Sequence, residues 1–233
     1  LLCAPGQLYN LPALLEKAEH GQQAFALDSV RKSAPDEQAL RALDALDLSR
    51  DPDQNPSAAQ AFVRVARGCD RFCSYCIVPY VRGAERSRSP EDIELEVKKL
   101  LDSGRSEITL IGQTVNRYRY EQGETAIRFS DLLERLSPLP ALQRLRFVTS
   151  HPVDFGRDLL QAMRDLPNVC PYIHVPAQSG SDSILKRMNR GYTRQDYDDL
   201  VDAARQTAPG VVLASDFIVG FPGETDADHA DSV

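Results

Sequence analysis

From residue 61 onward, short apolar runs alternate with longer segments in which apolar positions recur every three or four residues. The short runs have the length and β-branched content of buried strands. They read AFVRVA (61–66), EITLI (107–111), LRFV (145–148), YIHV (172–175) and VVLASDFIV (211–219). Strands that alternate with helices predict an α/β fold with a parallel sheet and right-handed crossovers. Because the chain lacks the glycine fingerprint of a dinucleotide-binding fold, the pattern favours a partial (β/α) barrel over a Rossmann fold.

The helical segments carry start and stop signals. In SPEDIELEVKKLLDSG, Ser89 is the predicted N-cap, Pro90 the first helical residue and Gly104 the stop. Its apolar residues share the face that packs on the sheet, namely Ile93, Val97, Leu100 and Leu101. Further helices are predicted for FSDLLERL, DLLQAMRDL, SDSILKRM and TRQDYDDLVDAARQ.

The first 60 residues follow a different pattern. LPALLEKAEHG predicts a short helix that ends at Gly21, and residues 1–34 are interpreted as the tail of an upstream domain. Residues 35–60 are rich in Asp, Ala, Gln, Ser and Pro, which predicts a linker with one helical turn around 39–46. The core domain is then expected to cover 61–233 and to be truncated at its C-terminal end. The chain is therefore expected to be a piece of a longer protein.

The loops that follow the predicted strands gather polar residues and glycines. They read GCDRFCSYC, GQTVNRY, TSHPVD, PAQSGSD and GFPGET. In a parallel sheet these loops lie on the one face where active sites are built. We therefore expect the cysteines, amides, hydroxyls and a histidine to meet at one rim.

Composition narrows the classes of protein. The 233 residues are 42% hydrophobic and 26% charged, enough for one large core. No run approaches the ~18 apolar residues of a membrane helix, and no signal peptide is visible. The net charge of −7 gives no overall electrostatic case for nucleic acid. Locally, six arginines lie between 64 and 88, and a second basic patch consists of Lys186, Arg187, Arg190 and Arg194. Each patch is either a binding surface or an ordinary solvated one.

Three of the five cysteines, Cys69, Cys73 and Cys76, have the spacing C-x3-C-x2-C. Their odd number and clustering argue against a disulfide framework and favour a reducing cytoplasm. A zinc site needs a fourth ligand, for which His151 and His174 are the candidates. Three free structural cysteines are disfavoured in a polar loop, because free cysteine prefers burial. Three thiolates suffice for a [4Fe-4S] cluster with one open iron, which is a Lewis-acid site for a small chelating ligand.

The same loop, with Tyr75 just before its third cysteine, resembles the radical S-adenosylmethionine (SAM) enzymes. That superfamily chelates SAM on the open iron and cleaves it to methionine and a 5′-deoxyadenosyl radical. Five longer motifs look like its methylthiotransferases: ARGCDRFCSYCIVPYVRGAERSRSPEDI, LIGQTVNRY, VTSHPVDF, HVPAQSGSDSILKRMNRGYTR and SDFIVGFPGET. They are most similar to the members that convert N6-isopentenyladenosine, beside the tRNA anticodon, to its 2-methylthio form. The similarity covers 61–233 and GQLYNLPALLEKA near the start.

The resemblance implies roles for individual positions. Cys69, Cys73 and Cys76 would ligate the cluster, and no catalytic residue beyond these ligands is implied. The implied SAM contacts are Tyr75 beside the adenine, Gly112 and Gln113 at the amino group, Gln178 and Ser179 at the ribose and carboxylate, and Phe217 to Val219 along the adenine. Arg82, with Arg187 or Arg190, would face the substrate or the SAM carboxylate.

The resemblance also implies partners and parts outside this chain. A tRNA is the expected substrate and flavodoxin or ferredoxin the reductant, for a monomer in the cytoplasm with no membrane partner. Full-length members carry an auxiliary [4Fe-4S] cluster on an N-terminal domain and a C-terminal β-barrel that grips RNA. This chain has no ligands for the second cluster, since Cys3 matches no ligand position and Cys170 is expected in the core. We expect the chain to cleave SAM without completing methylthiolation.

Alternatives remain open at this point. A sister methylthiotransferase could act on threonylcarbamoyl-adenosine in tRNA or on an aspartate of a ribosomal protein. CIVPYVRGAERSR and GQTVNRY resemble the isopentenyladenosine enzymes more. From another class, the chain could be a non-catalytic binding module stabilised by a metal.

Overall fold

The computed structural model describes residues 1–27, 37–48 and 59–233. Its strands are short, and most of them pair in parallel. In chain order they are β1 (Leu2–Cys3), β2 (Phe25–Ala26), β3 (Gln60–Arg64), β4 (Ala66–Arg67), β5 (Arg86–Ser87), β6 (Glu107–Ile111), β7 (Arg119–Gln122), β8 (Thr125–Arg128), β9 (Arg144–Phe147), β10 (Tyr172–His174) and β11 (Val212–Ala214).

Helices connect the parallel strands. In chain order they are α1 (Leu11–Glu19), α2 (Glu37–Leu48), α3 (Val78–Val81), α4 (Pro90–Asp102), α5 (Phe129–Leu136), α6 (Arg157–Asp165), α7 (Asp182–Arg187), α8 (Arg194–Thr207) and α9 (Asp226–Ala230). In the described ranges, 3-10 helices accompany them at Pro5–Asn10, Val115–Arg117 and Pro152–Asp154.

The core is built on a three-stranded parallel sheet in the order β3-β6-β9. Val63 pairs with Leu110, and Leu110 pairs with Phe147; all three side chains are buried. Strands β10 and β11 form a second parallel pair. The Ser150 amide, which follows β9, donates to the His174 carbonyl at the end of β10 at 3.1 Å and so links the two sheets. The expected α/β architecture of parallel strands with crossover helices is confirmed.

Helix α4 begins and packs as its sequence signals predict. The Ser89 hydroxyl accepts a hydrogen bond from the Asp92 amide at 3.0 Å, and Pro90 occupies the first turn. Ile93, Val97 and Leu101 are buried against the sheet. The N-cap and the apolar face therefore set the start and the orientation of this helix, as expected.

Two predicted strands differ from the observed ones. The run 211–219 forms a regular strand only at Val212–Ala214, followed by a single parallel bridge between Gln178 and Phe217. Gln178 has a left-handed φ of 68°, which interrupts the repeat of a regular ladder. The run 61–66 also divides, because its last residues join the antiparallel pair β4–β5 instead of the central sheet.

The N-terminal third is only partly described. The helix at Glu37–Leu48 is longer than the single turn predicted within 35–60, and the rest of that predicted linker lies largely outside the described residues. Asp47 of α2 contacts Arg64 at 3.3 Å and Arg67 at 2.5 Å, so the helix is anchored to the core. The division into 1–34, 35–60 and 61–233 stays a prediction.

Cys170 is partly exposed, so its expected place in the core is wrong. The preceding Val169 bridges Leu145 and is buried. In extended backbone successive side chains point to opposite faces, which turns Cys170 outward. Among the described residues, no helix combines the length and apolar character needed to cross a bilayer.

Candidate functional site

The cysteine loop (68–83) leaves the core after β4 and returns as β5. Ala66 pairs with Ser87, Arg67 pairs with Arg86, and the Cys69 amide donates to the Gly83 carbonyl at 3.2 Å. Gly68 has a φ of 70°, and a Cβ there would collide with the carbonyl oxygen of Ala84. Glycine is therefore required at the neck, which closes the loop beyond the carboxyl end of β3.

The cysteines of this loop differ in exposure. Cys69 is buried, with its Sγ 3.9 Å from the Thr114 hydroxyl, whereas Cys73 and Cys76 are half-buried. Burial raises the pKa of the Cys69 thiol, and hydrogen bonds from the Arg71 backbone and the Thr114 side chain oppose that rise. The three thiols are free and share one short loop, so they can serve as ligands together.

The tip of the loop is tied to the segment that follows α7. The Ser74 amide donates to the Met188 carbonyl and the Ser74 hydroxyl to the Arg187 carbonyl, both at 3.0 Å. The Asn189 side chain donates to the Phe72 carbonyl at 2.9 Å. These contacts join residues more than 110 positions apart in sequence and bring Arg190 to the cysteines.

Arg190 is 7% exposed and meets the cysteine loop directly. Its Nη1 donates to the Cys73 Sγ at 3.3 Å and approaches the Tyr75 hydroxyl at 3.5 Å. Burial by itself would lower the pKa of Arg190, but Tyr192, Tyr75 and Cys73 outweigh it and the pKa is raised. The guanidinium is therefore a permanent positive charge beside a candidate ligand.

Tyr75 and Arg187 lie at the same end of the site and have different partners. The Tyr75 ring meets the edge of Phe221 at 6.5 Å, and burial of its hydroxyl raises its pKa to about 12. Arg187 binds the carbonyls of Pro222 and Gly223 and lies 6.0 Å from the Phe221 ring. Arg187 thus fastens the GFPGET loop to α7, while Tyr75 remains 41% exposed.

The loops after β6 and β9 are joined beneath the cysteines. Gly112 follows β6, and a Cβ there would lie 3.4 Å from the Ala66 carbonyl oxygen. Its neighbour Gln113 is half-buried. The Asn116 amide exchanges two hydrogen bonds with the His151 backbone, at 2.8 and 2.9 Å. The predicted glycine position is therefore packed against the base of the cysteine loop.

The predicted SAM-contacting residues of the last two loops are paired with each other. The backbone amide of Gln178 donates to the Asp216 carbonyl, and the backbone amide of Ile218 donates to the Gln178 carbonyl, both at 2.9 Å. The side chains of Phe217 and Val219 are exposed, at 47% and 66%. Ser179 is buried, and its hydroxyl accepts from the Ser181 amide at 3.1 Å. Gln178, Phe217 and Val219 thus border one open surface, whereas the Ser179 side chain faces inward.

The sequence analysis missed Glu85 as a member of this site and considered His151 only as a possible zinc ligand. Burial raises the pKa of Glu85 to about 7, and its Oε2 has no hydrogen-bond partner among the described residues. Burial, together with Arg190, Arg71 and Arg117, lowers the pKa of His151 to about 3. The motif SHP gave a signal for His151, but the sequence holds no comparable signal for Glu85, because its burial depends on the closure of the loop.

The donor set fits an iron–sulfur cluster better than a single metal ion. In the described ranges, no three His, Cys, Asp or Glu residues are placed to hold one ion together. His151 is packed on Tyr192, and the His174 Nε2 lies 3.0 Å from Asp216, so neither completes a zinc site with the cysteines. Each thiolate of a cluster binds a different iron and needs no shared centre. Three thiols with a buried guanidinium beside them suit that negatively charged group.

Family models identify the chain. The model of the radical SAM superfamily matches residues 63–233. The chain belongs to the radical SAM superfamily. This superfamily domain covers the sheet, the cysteine loop and the later rim loops, and its first residue lies inside β3.

Curated relatives of this radical SAM chain share one name. The chain is 45% identical over 234 residues to the tRNA-2-methylthio-N(6)-dimethylallyladenosine synthase of Rhodopirellula baltica, covering 100% of the chain and 49% of that protein. It is also 45% identical to the synthase of the same name from Moorella thermoacetica, of which it covers 50%. The chain therefore spans about half the length of the curated relatives it matches.

Solved structures of radical SAM enzymes share the fold. The radical S-adenosylmethionine methyltransferase TsrM from Kitasatospora setae matches 73% of this chain and 32% of its own, with a TM-score of 0.59 and 20% identity. The cobalamin-dependent S-adenosylmethionine radical enzyme OxsB matches 98% of this chain and 34% of its own, with a TM-score of 0.63 and 14% identity. The expected partial (β/α) barrel of the radical SAM type is confirmed.

Proposed function

We propose that the chain is the radical SAM core of a methylthiotransferase that adds a methylthio group to C2 of N6-isopentenyladenosine, next to the tRNA anticodon. Isopentenyl and dimethylallyl name the same substituent here. The observation that carries the proposal is the C-x3-C-x2-C loop at the carboxyl rim, in a chain 45% identical to synthases named for that product. The sister activities and the non-catalytic module are not favoured by these relatives.

Cys69, Cys73 and Cys76 would hold a [4Fe-4S] cluster with one iron free of protein ligands. When bound, such a cluster supplies the electron that cleaves SAM. The chain supplies the surroundings. Tyr75 closes one side, and Gly112 with Gln113 follows the central strand. The exposed side chains of Phe217 and Val219 offer apolar surface for an adenine, and the left-handed Gln178 turns the β10 loop toward it. Ser179 would contribute through its backbone, because its side chain is buried.

The proposed contacts with the substrate involve exposed residues of the rim loops. Arg82 is exposed on the cysteine loop and is available to a phosphate or to the SAM carboxylate. Arg187 contributes by holding the GFPGET loop in place. An adenosine in a stacked anticodon arm would have to be splayed out before its C2 could enter the site.

Several features of the whole protein belong to the same proposal. Residues 1–34 would close an upstream domain that carries an auxiliary [4Fe-4S] cluster, residues 35–60 would form the connection, and residues 61–233 the radical SAM core. Flavodoxin or ferredoxin would supply electrons to a monomer in the cytoplasm. The relatives, which are about twice as long as this chain, leave room for such additional parts.

Anaerobic reconstitution of the chain tests the cluster. We expect about four irons and four sulfides per chain, together with 5′-deoxyadenosine when SAM and dithionite are added. Cys73→Ala should abolish that product. Cys170→Ala is the matched control, because Cys170 lies outside the loop, and it should retain the product. A Cys73→Ala variant that still cleaves SAM would overturn the assignment.

The substrate needs a separate test. The full-length protein should restore 2-methylthio-N6-isopentenyladenosine to tRNA in a strain that lacks the modification, measured by mass spectrometry of digested tRNA. The present chain alone should form 5′-deoxyadenosine but no methylthio product. Restoration of 2-methylthio-threonylcarbamoyl-adenosine instead would show that the substrate assignment is wrong.

A further inference from the structure

Arg190 carries a buried charge that has no carboxylate partner within residues 1–27, 37–48 and 59–233. Its Nε donates to the Tyr192 hydroxyl at 3.2 Å, its Nη2 to the Pro176 carbonyl at 3.2 Å and its Nη1 to the Cys73 Sγ. In the described part of the chain, the side chains that its guanidinium contacts by hydrogen bonds are Tyr192, Tyr75 and Cys73, and no carboxylate forms an ion pair with it. The hydrogen bonds are satisfied, but the charge is not neutralised.

Arg88, which is buried more deeply than Arg190, has a carboxylate partner. Arg88 is 2% exposed, and its Nη1 lies 2.6 Å from the Glu96 carboxylate. A buried cation costs several kcal/mol unless an anion compensates it. An anion beside Cys73 would compensate Arg190 in the same way, and thiolates that ligate an iron–sulfur cluster would provide one.

The guanidinium is held rigidly in this position. Its central carbon lies 5.3 Å from the centre of the Tyr192 ring, and the Tyr192 hydroxyl donates to the Ala177 carbonyl at 2.6 Å. From the other side, Ser74 and Asn189 fix the loop that carries Cys73. Arg190 is thus directed at the sulfur by both of the segments that meet there.

We propose that Arg190 is a positioning residue that donates to the Cys73 sulfur and raises the reduction potential of the cluster. The inference rests on the proposed function, because it requires a cluster on Cys69, Cys73 and Cys76. A hydrogen bond to a ligand sulfur and a nearby positive charge both stabilise the reduced form, which carries one more negative charge. Arg190 therefore sets how easily the cluster is reduced, and it is not available for the tRNA.

A redox titration of the reconstituted protein, followed by the electron paramagnetic resonance of the reduced cluster, tests this role. The Cys69/Cys73/Cys76→Ala variant identifies which signal belongs to this cluster. Arg190→Met should lower the ratio of reduced to oxidised cluster at a fixed potential at least tenfold, which is about 59 mV for one electron. Arg190→Lys should fall between Arg190→Met and wild type, because it keeps the charge and loses the forked geometry. Lys186→Met, which removes an exposed charge nearby, should stay within twofold of wild type.

Each outcome decides the question. A loaded Arg190→Met cluster with the wild-type potential would overturn the inference, and so would weaker SAM binding with an unchanged potential, since that would make Arg190 a SAM contact. If Arg190→Met fails to fold, Arg190→Lys decides by the same criterion. Failure of the wild-type protein to take up iron would instead contradict the proposed function.

Discussion

Two groups of arginines lie in different electrostatic surroundings, one in a network with carboxylates and one around a buried histidine. In the carboxylate network, Arg64, Arg67 and Arg88 face Asp44 and Asp47 of α2 and Glu96 of α4. At the rim, burial lowers the pKa of His151 well below the usual value, and the nearby Arg190, Arg71 and Arg117 lower it further. The first group is neutralised within the chain. In the second group Arg71 pairs with Asp154 and Arg117 lies 3.7 Å from Glu85, so Arg190, which donates to the Cys73 sulfur, is the member for which the described residues provide no ion pair.

The comparison shows why a basic stretch is a poor guide to a binding surface. Three of the six arginines between 64 and 88 belong to the network, and Arg71 pairs with Asp154. Arg82 and Arg86 are exposed. A positive stretch in sequence can therefore serve folding more than recognition.

Breaking the network should have the largest effect on stability. Arg88→Met removes the guanidinium that compensates the buried carboxylate of Glu96, which should lower the free energy of unfolding by about 3–5 kcal/mol. Urea denaturation followed by circular dichroism measures it. The double variant Arg88→Met/Glu96→Leu should lose less, because no carboxylate is then left without compensation. Equal losses in the single and double variants would contradict this account.

Breaking the hydrogen bond that attaches the cysteine loop should lower the free energy of unfolding less than breaking the carboxylate network. Asn189 has a φ of 56° and donates to the Phe72 carbonyl. Asn189→Ala loses this hydrogen bond and strains the backbone, so we expect a loss of about 2–3 kcal/mol. Asn189→Gly keeps the left-handed conformation and should lose only about 1 kcal/mol. Thermal unfolding of both variants tests the difference, and an alanine variant as stable as the glycine variant would exclude backbone strain.

The positive surroundings of His151 predict a pH dependence of stability. Its pKa is about 3 in the folded state, below the unfolded value of 6.5, so the unfolded chain binds a proton first as the pH falls. Stability is complete above pH 6.5 and decreases toward pH 3. Between pH 7.5 and 5.5 the loss should be about 1.4 kcal/mol. His151→Gln should lack this part of the slope, and parallel pH profiles for the two proteins would refute the burial of a neutral histidine.

The smallest change in stability is expected at Arg82, which the comparison places outside both groups. Arg82→Ala should change the free energy of unfolding by less than about 0.5 kcal/mol. Binding of the full-length protein to tRNA should weaken, and the salt dependence of log K should lose about one unit of slope if Arg82 contacts a phosphate. Arg86→Ala is the matched exposed control on the returning strand. An unchanged salt slope would remove Arg82 from the substrate side.

Much of the fold was predictable because it rests on local periodicity. The apolar face of α4, its Ser89 cap and the run EITLI all appear where the pattern places them. The division of the last strand was not predictable, because it depends on the conformation of Gln178 in a different loop. The exposure of Cys170 likewise follows from the pairing of its neighbour Val169.

The sequence predicted which residues lie at the site better than it predicted what each of them does there. The cysteine spacing and the motifs around it indicated the radical SAM superfamily, whose model matches residues 63–233, and the candidate ligands Cys69, Cys73 and Cys76, which stay a prediction. Arg82, Arg187 and Arg190 were grouped together by sequence, yet the structure exposes the first, ties the second to a loop and buries the third. Glu85 was missed because its burial results from the closure of the cysteine loop, and the residues next to it in sequence do not indicate that burial.

By itself, the sequence determined the alternation of strands and helices, the three clustered thiols and the family to which the chain belongs. These follow from residue type and spacing, which are local properties. Only the tertiary structure decided which charges are compensated, since Arg88 meets Glu96 eight residues away while Arg190 meets Cys73 across 117. Burial and electrostatic compensation depend on contacts between distant segments, and these contacts place one arginine in a structural ion pair and make another a hydrogen-bond donor to Cys73.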